Sequence, residues 1–240
     1  MKMVFFDADD TLWDIITHYS DAMADAATKM SNDFNLPYDY IYDKIYKKNI
    51  ETAKEIGHIR SQFPAAITKV FADLCKEKCI EIDTDSVLDT YISTDKVYDQ
   101  APEVKPGVKS TICALNRSGY VCKIVTLGDE VMQSAKIYRS GIWEYIRDAF
   151  ILPVKDKEAY KDIANRFPDN DKFIMVGNSI RNDINPALEA GWYAIHIPVD
   201  TWELEHAKII EHEDGKFFTV ENIKDVAGVV DSIYEGTERK

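Results

Sequence analysis

The sequence predicts an α/β protein, a Rossmann-like three-layer core around a parallel sheet, with an all-helical domain inserted after the first strand. Short apolar runs recur at residues 3–6, 121–126, 149–154, 173–176 and 192–199, each ending in polar or glycine-bearing residues. Most lack strict alternation, as strands buried on both faces do. Amphipathic segments at 108–117, 131–140, 157–167 and 186–190 lie between them. Strand and helix in turn give parallel strands joined by right-handed crossovers. The alternation is suspended from about residue 15 to residue 98, where the periodicity is helical and no strand is expected.

The first run, Met3-Val4-Phe5-Phe6, is cut off by Asp7, Asp9 and Asp10 and then by Thr11. A buried strand that delivers three acids to its carboxyl end is poor for stability, because like charges held close repel and desolvate badly. It makes sense if a cation sits among them or one of them does chemistry. The insert then shows one apolar stripe through Ile15, Tyr19, Ala22, Met23, Ala26 and Met30, and another through Ile67, Val70, Phe71 and Leu74. Ile41 with Ile45, and Val87, Leu88, Tyr91 and Ile92, suggest two more helices. Gln100-Ala101-Pro102-Glu103 and Lys105-Pro106-Gly107 mark the return. The expected division is a core of residues 1–14 and 100–240 with a helical cap at 15–99. Its position directly after the acids favours a lid over an embellishing bundle.

The remaining strands and helices follow in order, and a turn at Asp214-Gly215 precedes a short run at 217–220 and a helix over 221–234. With one histidine among acids, the segment Glu211-His212-Glu213 reads as a solvated turn and not as a metal tract.

Composition narrows the function classes. A net charge of −13 argues against general nucleic-acid binding, and an anionic substrate would need a metal or local cations to offset it. The chain shows no membrane-length apolar run and opens without a secretory pattern. Cys75, Cys79, Cys113 and Cys122 have neither CxxC nor zinc-like spacing; Cys75 and Cys79 read as two small buried side chains on one helix face. A reduced, cytoplasmic protein is expected, monomeric or homodimeric, with no membrane or nucleic-acid partner.

In a doubly wound sheet the ligand crevice lies outside the carboxyl ends of the strands. The first strand brings Asp7 and Asp9 there, and the second brings Thr126, Leu127 and Gly128 at a helix start suited to an anion. The third is followed by Lys155-Asp156-Lys157, and the fourth by Asn178 and Asp183. Carboxylates, a hydroxyl and a lysine around one crevice describe a site for a hard divalent cation and a phosphoryl group. Oxygen ligands without His or Cys favour magnesium over zinc.

These residues resemble the motifs of the haloacid dehalogenase (HAD) superfamily, in its phosphatase-like branch with a helical cap after the first strand. Asp7-Ala8-Asp9-Asp10-Thr11 is similar to the first motif, Thr126 to the second, Lys155 to the third, and Gly177-Asn178-Ser179 through Asp183 to the fourth. The resemblance implies a magnesium-dependent phosphatase acting on a small phosphorylated metabolite. It makes Asp7 the nucleophile that forms an aspartyl-phosphate and Asp9 the acid and base. Magnesium would sit between Asp7, Asp9 and Asp183, with Asn178 as a further candidate ligand and the Asp9 carbonyl reaching the metal. Thr126 and Lys155 would hold the transferring oxygens. An acid two residues after the nucleophile also separates this pattern from the family's dehalogenases, since a leaving halide needs no proton.

Several assignments stay open. Lys155 is preferred to Lys157 as the acting lysine because Asp156 would cap the next helix and leave Lys155 in the loop. Asn178 stands where many relatives carry Asp. Asp10 reads as a turn residue and Asp129 as a helix cap, while Arg60, near Gly57 in the insert, is a candidate grip for an anionic substrate. A phosphomutase and a catalytically weak ligand-binding protein of the same fold are the competing functions.

Overall fold

The computed structural model describes residues 1–146, 148–199 and 207–236 of the 240-residue chain. Among them, β1 (Lys2–Phe6), β4 (Tyr120–Leu127), β5 (Ala149–Leu152), β6 (Phe173–Gly177), β7 (Tyr193–His196) and β8 (Phe217–Thr219) form one sheet in the order β5-β4-β1-β6-β7-β8. Every neighbouring pair is parallel. Two short strands, β2 (Trp13–Asp14) and β3 (Glu103–Val104), pair antiparallel, Trp13 with Val104 and Asp14 with Glu103.

Period-two geometry explains why the strands are apolar on both faces. Val4 and Phe6 of β1 enter one core cluster with Ile124, Val176 and Ile195, covered by α5 (Val108–Arg117), α6 (Glu130–Arg139) and α9 (Val226–Glu235). Met3 and Phe5 enter a second cluster with Val125 and Met175, covered by α7 (Lys157–Asn165) and α8 (Asn185–Glu189). The result is the expected three-layer α/β sandwich. Two strands are shorter than their apolar runs: β5 stops before Pro153 and β7 before Pro198. Proline has no N–H to continue a ladder. Helix α8 is preceded by a π-helical turn, Ile180–Ile184, which periodicity did not announce.

The chain divides into two compact units, Met1–Asp14 with Pro102–Lys240, and Ile15–Ala101. The second holds α1 (Ile16–Phe34), α2 (Tyr38–Ile56), α3 (Gln62–Glu77) and α4 (Thr84–Asp95), then a 3₁₀ turn over Lys96–Asp99. Met23 and Met30, Ile41 and Ile45, and Ile67, Val70 and Leu74 are its buried stripes. Two details differ from expectation. The buried residues of α4 are Thr90 and Thr94, while Leu88 and Ile92 are exposed. Each threonine hydroxyl donates to the carbonyl four residues back, 2.8 Å in both cases, which lets a polar side chain face inward. Helix α3 ends at Glu77, so Cys79 falls beyond it at φ +53° and is exposed, and of these two cysteines Cys75 alone is buried.

Phe5 sits at the centre of the second cluster, its ring centroid 4.9 Å from that of Trp192 and 6.1–6.4 Å from Phe150, Phe167 and Phe173. Truncation there loses both transfer energy and packing. Phe5→Ala is expected to cost about 3–5 kcal/mol in urea unfolding, and a loss below 1 kcal/mol would show that the cluster collapses around the gap.

Candidate active site

The sheet order places β1 between β4 and β6. From β1 the chain builds one half of the sheet through β4 and β5, then crosses to build the other through β6, β7 and β8. The carboxyl end of β1 is therefore the topological switch point, where an open α/β sheet leaves its crevice.

Asp7 is the first residue past β1, tied in by its N–H to the Val176 carbonyl at 2.9 Å. Lys155, in the loop after β5, reaches it: its Nζ donates to Asp7 Oδ1 and, at 2.6 Å, to Asp183 Oδ1. The side chains of Lys155 and Asp183 are each 1% exposed and that of Asp7 10%. Asp156 caps α7 by accepting from the Ala159 N–H at 2.9 Å, and Lys155 stays in the loop. Its ammonium, not that of Lys157, binds the two acids. Burial works against the charge on Lys155, but Asp183 and Asp7 outweigh it and raise the group's pKa. Burial first, and then Asp183, push Asp7 up to about 8, with Lys155 opposing.

Asp183 is brought in by the π-helical turn, a wide turn of a kind that favours functional sites. Its Oδ2 accepts from the Ser179 N–H at 2.9 Å. Gly177 makes room for it: a Cβ there would lie 2.3 Å from Oδ2. Thr11 joins the loops after β1 and β6, its hydroxyl donating to Asn178 Oδ1 at 3.0 Å and accepting from the Asn178 N–H at 3.1 Å. His196 Nε2 donates to the Asn178 carbonyl at 3.0 Å. Burial lowers the His196 pKa, consistent with a neutral ring.

The Asp9 carboxylate turns elsewhere. Oδ1 accepts from Trp13 Nε1 at 2.7 Å, and Oδ2 from Gln133 Nε2 at 3.0 Å and from Lys136 Nζ. Burial alone would raise the Asp9 pKa, but Lys136, Gln133 and Trp13 together bring it below the ordinary value. Asp10, directly after Asp9, takes a left-handed conformation at φ +63°, which aspartate tolerates. Lys105 Nζ donates to its carbonyl. Thr126, 1% exposed, closes β4 beside Leu127, whose carbonyl accepts from Gln133 Nε2 at 2.6 Å. Gly128, at φ +137°, turns the chain into α6, which Asp129 caps.

The Asp9 carboxylate is bound by Trp13, Gln133 and Lys136, apart from Asp7 and Asp183, and three other candidates also have partners within the chain. The Asn178 amide oxygen accepts from the Thr11 hydroxyl. The Gly128 N–H, expected to meet an anion, donates to the Leu152 carbonyl at 2.9 Å in the β4–β5 ladder. Arg60 binds Asp95 through Nε at 3.1 Å and Nη2 at 2.7 Å, with Asp99 at 3.5 Å, an ion-pair arrangement within the helical unit. Sequence reasoning also passed over Gln133, Lys136, Lys105 and His196. One signal was available: Gln133 is polar yet sits four residues before Ile137 on the buried face of α6.

Two buried carboxylates on one ammonium leave the cluster short of positive charge. Hard oxygen donors in that state suit a magnesium ion. Among the described residues, no three His, Cys, Asp or Glu side chains are arranged to hold a metal. Asp7 and Asp183 are the residues there that could hold a divalent ion, with the water that magnesium commonly retains.

Haloacid dehalogenase-like hydrolases match residues 1–191 of the chain. The chain belongs to this family. The glyceraldehyde 3-phosphate phosphatase of Pyrococcus furiosus is 30% identical over 80% of this chain and 78% of its own length. In fold, a haloacid dehalogenase-like hydrolase from Xanthomonas campestris superposes with a TM-score of 0.79 at 20% identity, covering 100% of this chain and 99% of its own. The HAD-hydrolase YfnB of Bacillus subtilis, solved bound to magnesium, gives 0.62 at 20% identity over 96% and 98%. Within the HAD family the chain is an enzyme of the phosphatase type.

The Asp7 shift carries a testable sign. With metal chelated, the folded chain keeps the Asp7 proton up to about pH 8, whereas the unfolded chain releases it near the ordinary 3.8. The folded state holds the extra proton across that window, so this group's contribution to stability falls as pH rises through it. In EDTA, the wild-type Tm relative to that of Asp7→Asn is expected to drop from about pH 5 to about pH 8. A difference that stays flat or rises removes Asp7 as the source.

Proposed function

We propose that this HAD phosphatase hydrolyses a small phosphate monoester with magnesium, through an aspartyl-phosphate on Asp7. The observation that carries the reading is the buried Lys155 ammonium shared by Asp7 and Asp183 at the switch point, with Asp9 held two residues on. Magnesium on Asp7 and Asp183 would supply Lewis-acid neutralisation of the phosphoryl oxygens.

The chain's own groups do the rest. An Asp7 oxygen attacks phosphorus in line; the bond to the leaving oxygen breaks, and Asp9 gives that oxygen its proton. Water then attacks the aspartyl-phosphate and gives a proton to Asp9, the phosphorus–Asp7 bond breaks, and inorganic phosphate leaves. Asp9 is ionised beside Lys136 in the free protein, so the proton it gives is taken up from solvent as substrate binds. The one it takes from water returns to solvent at the end of the turnover. Lys155 tempers repulsion between Asp7 and an anionic substrate in a chain of net charge −13, and Thr126 offers its hydroxyl to the transferring oxygens. Leu127 would add its backbone N–H. The helical segment 15–99 acts as the cap that excludes water, a reading supported by its insertion directly after the acidic loop. Triose phosphates are the first substrates to try, given the activity named for the Pyrococcus relative.

Purified protein is expected to release phosphate from glyceraldehyde 3-phosphate or a close three-carbon ester. EDTA should abolish turnover, added magnesium restore it, and Asp7→Asn eliminate it. Asp9→Asn should lower kcat by about 10²–10⁴-fold. Wild-type protein that releases no phosphate across a broad ester panel with magnesium would end the proposal, and conversion of an ester to its isomer would move the chain to the mutases.

A further inference from the structure

The network around Asp9 contains more than the proposed reaction has used. Gln133 and Lys136 lie three residues apart on α6 and therefore face the same way. Both donate to a single oxygen, Asp9 Oδ2, while Trp13 Nε1 donates to the other at 2.7 Å. The Lys136 side chain is 13% exposed, so its ammonium is largely withdrawn from water for this contact. Gln133 is fixed in turn: its Nε2 also donates to the Leu127 carbonyl at 2.6 Å, and its backbone N–H to the Asp129 carbonyl at 2.9 Å. Asp9 thus has donors on both oxygens, from β2 on one side and α6 on the other. A carboxylate held at both ends has one orientation, and proton transfer depends on orientation as much as on proximity.

We propose that Lys136, with Gln133, is a positioning residue for Asp9, fixing its carboxylate in the one orientation from which its proton transfers are made. The inference rests on the phosphatase reading above. Loss of a positioning residue for a general acid should be felt most where the leaving oxygen is most basic. A general loss of packing would be felt equally everywhere.

The test compares phenyl phosphate with 4-nitrophenyl phosphate, esters of similar shape whose leaving oxygens differ in basicity. The quantity is kcat/KM, which ends at formation of the aspartyl-phosphate. For Lys136→Met, kcat/KM on phenyl phosphate is expected to fall about 100-fold, and on 4-nitrophenyl phosphate only a few-fold. Lys136→Arg should recover most of the loss, and Lys136→Met should add nothing in an Asp9→Asn background. If Lys136→Met does not fold, Lys136→Gln takes its place with the same expected pattern. Equal losses on the two esters, a rise in rate, or a further loss in the Asp9→Asn background would overturn the proposal while leaving the phosphatase reading standing. Wild-type protein that turns over neither these esters nor the wider panel would overturn both.

Discussion

The arrangement at the crevice depends on one buried ammonium. Lys155 bridges Asp7 and Asp183, and these three residues come from loops after three different strands. Two carboxylates this deeply buried would repel without a cation between them, and the desolvation cost of all three groups exceeds what stability alone would justify. The backbone around them is shaped to that contact: Gly177 leaves the space that Asp183 Oδ2 fills, the π-helical turn presents Asp183, and Asp156 ends the lysine's loop by capping α7. A second, separate charge pair holds Asp9. The two acids of the first motif are thus sorted by their partners, Asp7 kept hungry for protons and Asp9 kept low.

Much of this was legible in the sequence because the core follows simple periods. Strands buried on both faces appear as unbroken apolar runs, and their carboxyl ends announce the crevice. Asp7, Thr126, Lys155 and Asp183 were singled out from strand ends and motif order, and the coordinates bring Asp7, Lys155 and Asp183 into contact. The part that was not legible depends on side-chain direction. Asp9 and Asp7 are two residues apart, and a linear reading gives no sign that the Asp9 carboxylate would pair with Trp13 and with Gln133 and Lys136 on α6. Asn178 likewise carries no mark that it would pair with Thr11.

Inside the helical unit the differences from expectation have separate causes. An apolar stripe predicts a helix, but it predicts burial only when a neighbouring element covers it. Leu88 and Ile92 lie on the uncovered side of α4, and Cys79 lies beyond the end of α3. Arg60 looked available because arginine in a glycine-containing loop is normally solvated. Its guanidinium instead binds Asp95 and lies over the Tyr98 ring, 5.4 Å from the centroid, partners thirty-five and more residues away that no local pattern reveals.

The two-residue ladder of β2 and β3 has a consequence for how such a chain can change over time. Asp14 and Glu103 are strand partners, so the polypeptide leaves the sheet unit and re-enters it at neighbouring points. Nearly ninety intervening residues hang from a single pair of adjacent stems. Lengthening, shortening or replacing that stretch requires no new path through the sheet and no shift in strand register. The helical segment can therefore vary as one exchangeable module while the acids, the lysine and the strands that carry them stay where they are.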